Sequence, residues 1–219
     1  DATSSALHSN LNQCLFCVKG TQPTDQTTNC SICPAGKTQH QQNNASALCL
    51  HCPVGTYQSA TGQTSCDYAD AGYYVSSTGQ STQTAASAGY YVSSTGQSTQ
   101  IACLAGTYNP NTGSSSSSAC GDAAAGHYVS STGQSTQTPC FAGTYQSLTA
   151  QSSCDDADAG SYVPTTGQTN QTDCGIGTYQ NATGQDSCAD ADAGSFVPIT
   201  GQTNQTDCSI GTYQATTGQ

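Results

Sequence analysis

The sequence lacks tryptophan, methionine, arginine and glutamate, and aromatic side chains make up only 7% of its 219 residues. A chain of this length otherwise predicts one large or two small compact domains. This composition cannot fill the core of such domains, because much of the apolar fraction is alanine. Charged residues are also only 7%, so Ser, Thr, Asn and Gln must solvate most of the surface.

Positive charge is almost absent: the chain contains two lysines, Lys19 and Lys37, and 13 aspartates, and its formal net charge is -11. Phosphate groups are bound by clustered Lys or Arg, so we expect no nucleic-acid partner and no anionic-membrane partner. No apolar run approaches the roughly 18 residues of a membrane span, which predicts no direct membrane insertion in this segment. No signal peptide is visible, and a mature secreted chain that starts at Asp1, or a fragment, fits both observations.

What the sequence does contain is a repeat with a period of 17 residues, seen most clearly from Cys174 to Cys188. With the opening residue as position 0, glycine stands at +3, an aromatic residue at +5, Thr-Gly-Gln at +9 to +11 and the closing residue at +14. The next module opens three residues later. A repeat of fixed period predicts an array rather than a closed domain. The modules open at residues 17, 33, 52, 69, 86, 103, 123, 140, 157, 174, 191 and 208.

The closing residue of a module depends on its opening residue. Seven modules open with cysteine, here called cysteine modules, and five open with alanine, here called alanine modules, which carry glutamine at +14. Two halves of one disulfide would be lost together in this way, because a single remaining half leaves a free thiol in an oxidising compartment. The predicted disulfides are Cys17 with Cys30, Cys33 with Cys49, Cys52 with Cys66, Cys103 with Cys120, Cys140 with Cys154, and Cys174 with Cys188.

Cys14 and Cys208 have no partner in this scheme. Cys14 falls where a preceding module would close, and the partner of Cys208 would fall just past Gln219. We therefore interpret the chain as one part of a longer repeat protein. Residues 1–16 are interpreted as the end of an upstream module, residues 17–66 as cysteine-rich modules with Cys-x-x-Cys junctions, and residues 67–219 as mostly alternating alanine and cysteine modules, truncated at the C-terminus.

Zinc is an alternative explanation for the Cys-x-x-Cys junctions, since two such pairs about a dozen residues apart can supply four thiolates. One junction runs from Cys30 to Cys33, but downstream the same register continues from Cys66 to Ala69. A zinc site there would have too few ligands although the module persists. The pattern favours disulfides, and we expect no metal site.

Other chemistry is weakly represented. Aspartates cluster at the junctions 155–158 and 190–192, but an EF-hand needs a closing glutamate, and the chain has none. These junctions are interpreted as solvated acidic segments. The histidines have no repeated Ser or Asp partner that would indicate a catalytic triad, and no cofactor motif is found, so the sequence predicts neither an enzyme nor a cofactor. The histidines are His8, His40, His51 and His127.

Each module predicts a β-hairpin. The segment from +3 to +6 contains β-formers, Thr-Gly at +9 and +10 signals a turn, and +11 to +14 would return to the opening residue. Glycine at +3 predicts positive φ or a close approach by the neighbouring module, and the aromatic residue at +5 is expected to pack flat on the next hairpin. Alanine modules carry valine at +6, so apolar burial is expected to replace the missing disulfide.

The composition also predicts glycosylation, because Ser and Thr are abundant and charge is scarce. Asn-x-Ser/Thr sequons are acceptors for N-linked sugar in secreted proteins. Five sequons are present, at Asn29, Asn44, Asn170, Asn181 and Asn204.

The run Cys52-Pro-Val-Gly-Thr-Tyr-Gln-Ser-Ala-Thr-Gly-Gln-Thr-Ser-Cys66 resembles the ephrin-receptor-like cysteine-rich repeat, a relative in style of tumour-necrosis-factor-receptor modules. The resemblance extends from Cys14 to Gln219 and implies an extracellular location, as in receptor ectodomains and in microbial surface antigens and fibre proteins. The alanine modules depart from the family pattern and weaken the expectation of a rigid disulfide ladder.

Together these observations predict a small all-β, disulfide-rich protein, an elongated array of stacked β-hairpin modules. The expected function is that of a structural extracellular glycoprotein, the shaft of a cell-surface fibre, appendage or coat, with self-association along a fibre and covalent glycans. The alternative is a ligand-binding receptor-type ectodomain or adhesin. Near-identical modules favour the shaft, because a binding site needs a module that differs from its neighbours.

Overall fold

The structure is a computed structural model that describes residues 17–24, 29–42 and 46–218. Its contacts divide the chain into two units. The first unit comprises the described residues up to Ala86 together with 92–101 and 113–116, and the second comprises 87–91, 102–112 and the described residues from Ser117 onward. Each unit is built from the same small elements, so one module serves to explain both.

Every regular element in the described ranges is short, because a turn follows within a few residues. The chain forms β-strands of two or three residues and one 3-10 helix, Ser117–Ala119. The strands are β1 (Thr21–Pro23), β2 (Cys30–Ile32), β3 (Lys37–Thr38), β4 (Leu50–His51), β5 (Thr56–Tyr57), β6 (Asp67–Tyr68), β7 (Tyr73–Tyr74), β8 (Thr84–Ala85), β9 (Tyr90–Tyr91), β10 (Ile101–Ala102), β11 (Thr107–Tyr108), β12 (Gly121–Asp122), β13 (His127–Tyr128), β14 (Thr138–Pro139), β15 (Thr144–Tyr145), β16 (Asp155–Asp156), β17 (Ser161–Tyr162), β18 (Thr172–Asp173), β19 (Thr178–Tyr179), β20 (Ala189–Asp190), β21 (Ser195–Phe196) and β22 (Thr206–Asp207).

The Cys140 module shows how one hairpin is made. Strand β15 pairs antiparallel with β16, with Thr144 opposite Asp156 and Tyr145 opposite Asp155. The two strands therefore occupy positions +4, +5 and +15, +16 of the module. The predicted return strand at +11 to +14 was wrong by a few residues, because the chain is still turning there and becomes extended only after the closing position.

The core is made by two positions of each module rather than by the aromatic residues. Position 0 is buried throughout the described modules except at Cys208, and +6 is buried in every alanine module. The aromatic residue at +5 is half-buried in most modules, and Tyr213 in the last module is exposed. The fully buried apolar positions are therefore 0 and +6, since a small residue at position 0 and a branched one at +6 fit the narrow interior.

These features confirm the predicted fold class, a small disulfide-rich all-β repeat array of hairpin modules. The part of the chain that the structure describes holds eleven two-stranded sheets. Two-stranded sheets are marginal by themselves in water. Their stability must come from the closure of each module and from its contacts with other modules.

Candidate functional site at the module junctions

Disulfides close the cysteine modules. Their two Cα atoms lie 5.5 to 5.8 Å apart, as the geometry of a disulfide requires. Cys208 is free and partly exposed, and Cys14 lies outside the described residues. The structure joins the same pairs as the sequence scheme, Cys17–Cys30, Cys33–Cys49, Cys52–Cys66, Cys103–Cys120, Cys140–Cys154 and Cys174–Cys188.

Alanine modules are closed by a polar clamp at the same position. In the Ala157 module, the backbone N–H of Asp158 donates to Oε1 of Gln171 at 2.7 Å, and Nε2 of Gln171 donates to Oδ2 of Asp158, also at 2.7 Å. Gln83 binds Asp70 and Gln205 binds Asp192 in the same way. Sequence reasoning noted the glutamine at +14 but missed the aspartate at +1, which the recurrence of Asp after the opening alanine could have revealed.

The acidic junctions thus have a structural role. Asp158 and Asp192 accept hydrogen bonds from the clamp glutamines, and Asp173 accepts one from Ser161 Oγ across a hairpin at 2.9 Å. No group of three or more His, Cys, Asp or Glu residues that could hold a metal ion occurs within the described ranges. The cysteines of the Cys30-x-x-Cys33 junction are both in disulfides.

From the Cys33 module to the Cys174 module, each module is joined to the next by backbone hydrogen bonds at three places. Between the Cys140 and Ala157 modules, the N–H of Gly143 donates to Val163 O at 2.8 Å, and the N–H of Gln146 donates to Gln168 O at 3.1 Å. The N–H of Gly167 donates back to Cys140 O at 2.8 Å. The same three bonds join the Ala157 module to the Cys174 module. This junction uses backbone groups only, so it does not depend on which type of module is present.

From the module that opens at 17 to the one that opens at 157, each module also touches the module after the next one, and this contact explains the glycine at +3. Gly143 has φ +85°, and a β-carbon built there would lie 2.2 Å from the carbonyl oxygen of Gly184, two modules on. Gly160 has φ +88° and meets Gly201 O at 2.3 Å. Both predicted reasons for the glycine hold, but the approaching module is the next but one.

This contact joins modules of the same type. In the second unit they alternate along the chain, so a contact between every second module joins like with like. Gly106 and Gly143 link the cysteine modules that open at 103, 140 and 174, here called the cysteine row. Gly126 and Gly160 link the alanine modules that open at 123, 157 and 191, here called the alanine row. Alternation in sequence therefore becomes segregation in space within this unit.

The residue at +6 differs between the two types in a way that follows from their closures. Valine at +6 is 0 to 2% exposed in the alanine modules. In the Cys140 module, Gln146 is 4% exposed and its Nε2 donates to Ser153 O at 3.0 Å, while its Oε1 accepts from the N–H of Leu148 at 3.0 Å. The buried side-chain amide of Gln146 thus makes hydrogen bonds to the closing loop of its cysteine module. In an alanine module the glutamine at +14 makes the hydrogen bonds that close the module.

The sequon asparagines lie at the surface. Asn29, Asn170, Asn181 and Asn204 are exposed, and Asn44 lies outside the described residues. Asn170 and Asn204 hold the +13 position of two alanine modules and donate to the preceding threonine hydroxyl at 3.2 Å. Both therefore belong to the alanine row, while Asn181 belongs to a cysteine module.

The described histidines lie in different surroundings. His40 is exposed, His51 lies in β4, and Nδ1 of His127 is 3.4 Å from Ala125 O. His8 lies outside the described residues. The arrangement that the structure repeats from module to module is one of closure and stacking.

Comparison with known families identifies one segment. Residues 40–68 match the family described as tyrosine-protein kinase ephrin type A/B receptor-like. This segment is therefore similar to the ephrin-receptor-like family, and it lies in a chain of cysteine-rich repeats. It covers the closing half of the Cys33 module and all of the Cys52 module. No curated protein matches the chain.

The ephrin-receptor-like match and the six disulfides indicate an extracellular receptor-type or structural domain. Modules of this family are non-catalytic, cysteine-rich and extracellular. Among the residues described, no helix is long and apolar enough to cross a membrane.

Proposed function

We propose that this chain is part of a structural extracellular glycoprotein that forms the shaft of a cell-surface fibre, appendage or coat. In this proposal the protein associates with itself along the fibre and carries covalent glycans. The observation that carries the proposal is the junction, which has the same three backbone hydrogen bonds between successive modules and the same glycine contact two modules on.

A junction of this kind suits a shaft because its hydrogen bonds join backbone groups and do not depend on the side chains. Repeat proteins gain stability from nearest-neighbour interfaces, so modules can be added without a new interface. Residues 71–83 and residues 88–100 have the same sequence. Such copying of a module is expected of an element whose function is to provide length. A ligand-binding ectodomain would instead require modules with distinct faces.

Glycosylation is supported by the exposure of the four described sequon asparagines and by the low charge of the surface. Sugar attached at Asn170 and Asn204 would lie on the alanine row. Intact glycopeptide analysis of the native protein is expected to find sugar on at least one of Asn170, Asn181 and Asn204. A bare polypeptide mass would refute this part of the proposal.

Electron microscopy of native material tests the shaft itself. We expect regular fibres whose subunits contain this chain, identified by an antibody against a peptide of the repeat. Dispersed particles that bind the antibody and never form fibres would contradict the shaft and favour the receptor-type ectodomain or adhesin.

A further inference from the structure

The Cys33 module departs from its neighbours at one buried amide. Gln39 is 2% exposed, and its Nε2 is the one buried side-chain nitrogen or oxygen without a hydrogen-bond partner in the described part of the chain. The other side of the amide is fixed, because Oε1 of Gln39 accepts from the N–H of Gly20 at 3.2 Å. Rotating the amide would bring Nε2 against the N–H of Gly20, which also donates to the backbone carbonyl of Gln39 at 2.9 Å.

The equivalent amides in two other modules show what Nε2 binds when it is paired. Nε2 of Gln58 donates to Ser65 O at 3.0 Å and to Oδ2 of Asp67 at 3.2 Å. Nε2 of Gln146 donates to Ser153 O at 3.0 Å and lies 3.4 Å from Oδ2 of Asp155. A backbone carbonyl and a carboxylate therefore complete this position in these two sister modules, whereas in the Cys174 module, which has Ala189 in place of the aspartate, Nε2 of Gln180 donates to Ser187 O at 2.8 Å.

Two changes in the Cys33 module remove both acceptors. Leu50 pairs with Thr38 in β3–β4 just as Asp67 pairs with Tyr57 in β5–β6, so a leucine stands where the carboxylate would be. The disulfide also closes over a sequence separation of 16, against 14 in the Cys52 module. In the described part of this longer loop, no carbonyl oxygen accepts a hydrogen bond from Nε2 of Gln39.

A cavity of about 170 Å³ lies at this place. It is several times the volume that one water molecule takes in the liquid, about 30 Å³. Its lining combines polar groups with two leucines: Gln39, His40, Gln41, Ser46, Leu48 and Leu50.

The charge in this part of the sequence favours an anion. The chain has no acidic residue between Asp25 and Asp67, although its net charge is -11. The same module contains Lys37, which is one of two lysines in the chain, and His40 lines the cavity. No other module of the array carries a lysine except the preceding one.

We propose that the Cys33 module binds a carboxylate group from another molecule, which replaces the side-chain carboxylate that Asp67 and Asp155 supply in the sister modules. Nε2 of Gln39 donates to the carboxylate, and the apolar part of the ligand lies against Leu48 and Leu50. A buried donor without an acceptor is unfavourable, so filling this position stabilises the module. The site goes beyond the proposed shaft and stands or falls separately from it.

The side-chain amide of Gln39 reports on the site directly in nuclear magnetic resonance spectra of the oxidised, isotope-labelled chain. Titration with sodium butyrate is expected to shift the Gln39 amide signal saturably and to leave Gln58 and Gln146 unchanged. Butyramide, which has the same body without the charge, should cause no saturable shift. N-acetylalanine and glucuronate, added separately, distinguish a peptide C-terminal carboxylate from a sugar carboxylate as the better source.

Leu50→Asp provides the decisive variant, because it restores the carboxylate of the sister modules inside the chain. It should weaken butyrate binding by about tenfold or more, as expected for the loss of a hydrogen bond to a charged group. Ile32→Asp is the matched control, since Ile32 lies in the closing strand of the preceding module and is 62% exposed. It adds the same charge without facing an amide and should leave the saturable shift in place.

Three results would overturn the proposal. The first is a Gln39 signal that butyrate does not move, which would leave the cavity to water alone. The second is an equal response to butyramide. The third is unchanged butyrate binding in Leu50→Asp.

Discussion

The Cys140 and Ala157 modules are neighbours with the same two strands and the same junctions but different closures. In the Cys140 module a disulfide joins positions 0 and +14, and the buried Gln146 donates a hydrogen bond to the loop at Ser153 O. In the Ala157 module Val163 is fully buried, and Gln171 clamps Asp158. The comparison shows that the closure can be exchanged while the junction is kept.

The magnitudes agree with such an exchange. Closing a loop of about 15 residues with a disulfide stabilises a protein by about 3 kcal/mol. Burying a valine contributes roughly 1.5 to 3 kcal/mol, and each hydrogen bond about 1 kcal/mol. The two closures therefore offer similar stabilisation, whereas no side chain can replace the contact made at the +3 glycine.

The largest effect is expected from the glycine contact in either module type. Gly143→Ala and Gly160→Ala each place a methyl group against a backbone carbonyl and force alanine into positive φ. We expect a loss of about 3 to 5 kcal/mol from the two effects together. Hydrogen exchange of the amides in the affected and neighbouring modules measures the loss.

Gly194→Ala is the control for the contact, because Gly194 has φ +88° but no atom lies within 4 Å of the place that an added β-carbon would take. It should cost only the backbone strain, about 1 to 2 kcal/mol. Equal losses at Gly194 and Gly160 would show that the contact two modules on contributes nothing.

The second effect concerns the disulfide and its conversion. Cys140→Ala with Cys154→Ala should cost about 3 kcal/mol. Replacing the pair as Cys140→Ala and Cys154→Gln, with Phe141→Asp, builds the closure of an alanine module and should recover about 1 to 2 kcal/mol through two hydrogen bonds. Phe141 is 62% exposed, so its replacement leaves the core intact.

Thermal unfolding of the three proteins, oxidised and in the same buffer, tests this conversion. The converted protein should melt between the wild type and the double alanine variant. If it melts no higher than the double alanine variant, the clamp does not substitute for the disulfide.

The smallest effect separates the two hydrogen bonds of the clamp. Gln171→Ala removes a bond to the Asp158 backbone and a bond to its carboxylate, and should cost about 1 to 2 kcal/mol. Gln137 closes the Ala123 module, in which Ala124 takes the place of the aspartate. Gln137 therefore accepts a hydrogen bond from the N–H of Ala124 but donates to no aspartate. Gln137→Ala should therefore cost less in hydrogen-exchange measurements, and an equal cost would assign no role to the carboxylate.

The repeat length, the hairpin modules and the special place of the glycine could be predicted from the sequence, because each depends on residues within one period. The strand at +15 and +16 could not, since β16 is the acidic pair Asp155–Asp156, a composition unfavourable to strands. Its extended form is imposed by pairing with β15 and by the closing disulfide just before it.

The contact between every second module was also out of reach, because nothing within one period indicates how far along the array the partner lies. The clamp was hidden for a different reason. Asp158 belongs to an aspartate-rich stretch, which in sequence is typical of a solvated or calcium-binding segment. Its hydrogen bonds become evident only when the structure places Gln171 beside it.

Amide hydrogen exchange in the oxidised wild-type protein tests most directly whether one junction serves both closures. The amides of Gly143 and Gln146 in the Cys140 module, and of Gly160 and Val163 in the Ala157 module, all donate to the following module. We predict that the four amides are protected to a similar degree. Strong protection of Gly143 and Gln146 together with unprotected Gly160 and Val163 would contradict it, because only the disulfide-closed modules would then be folded.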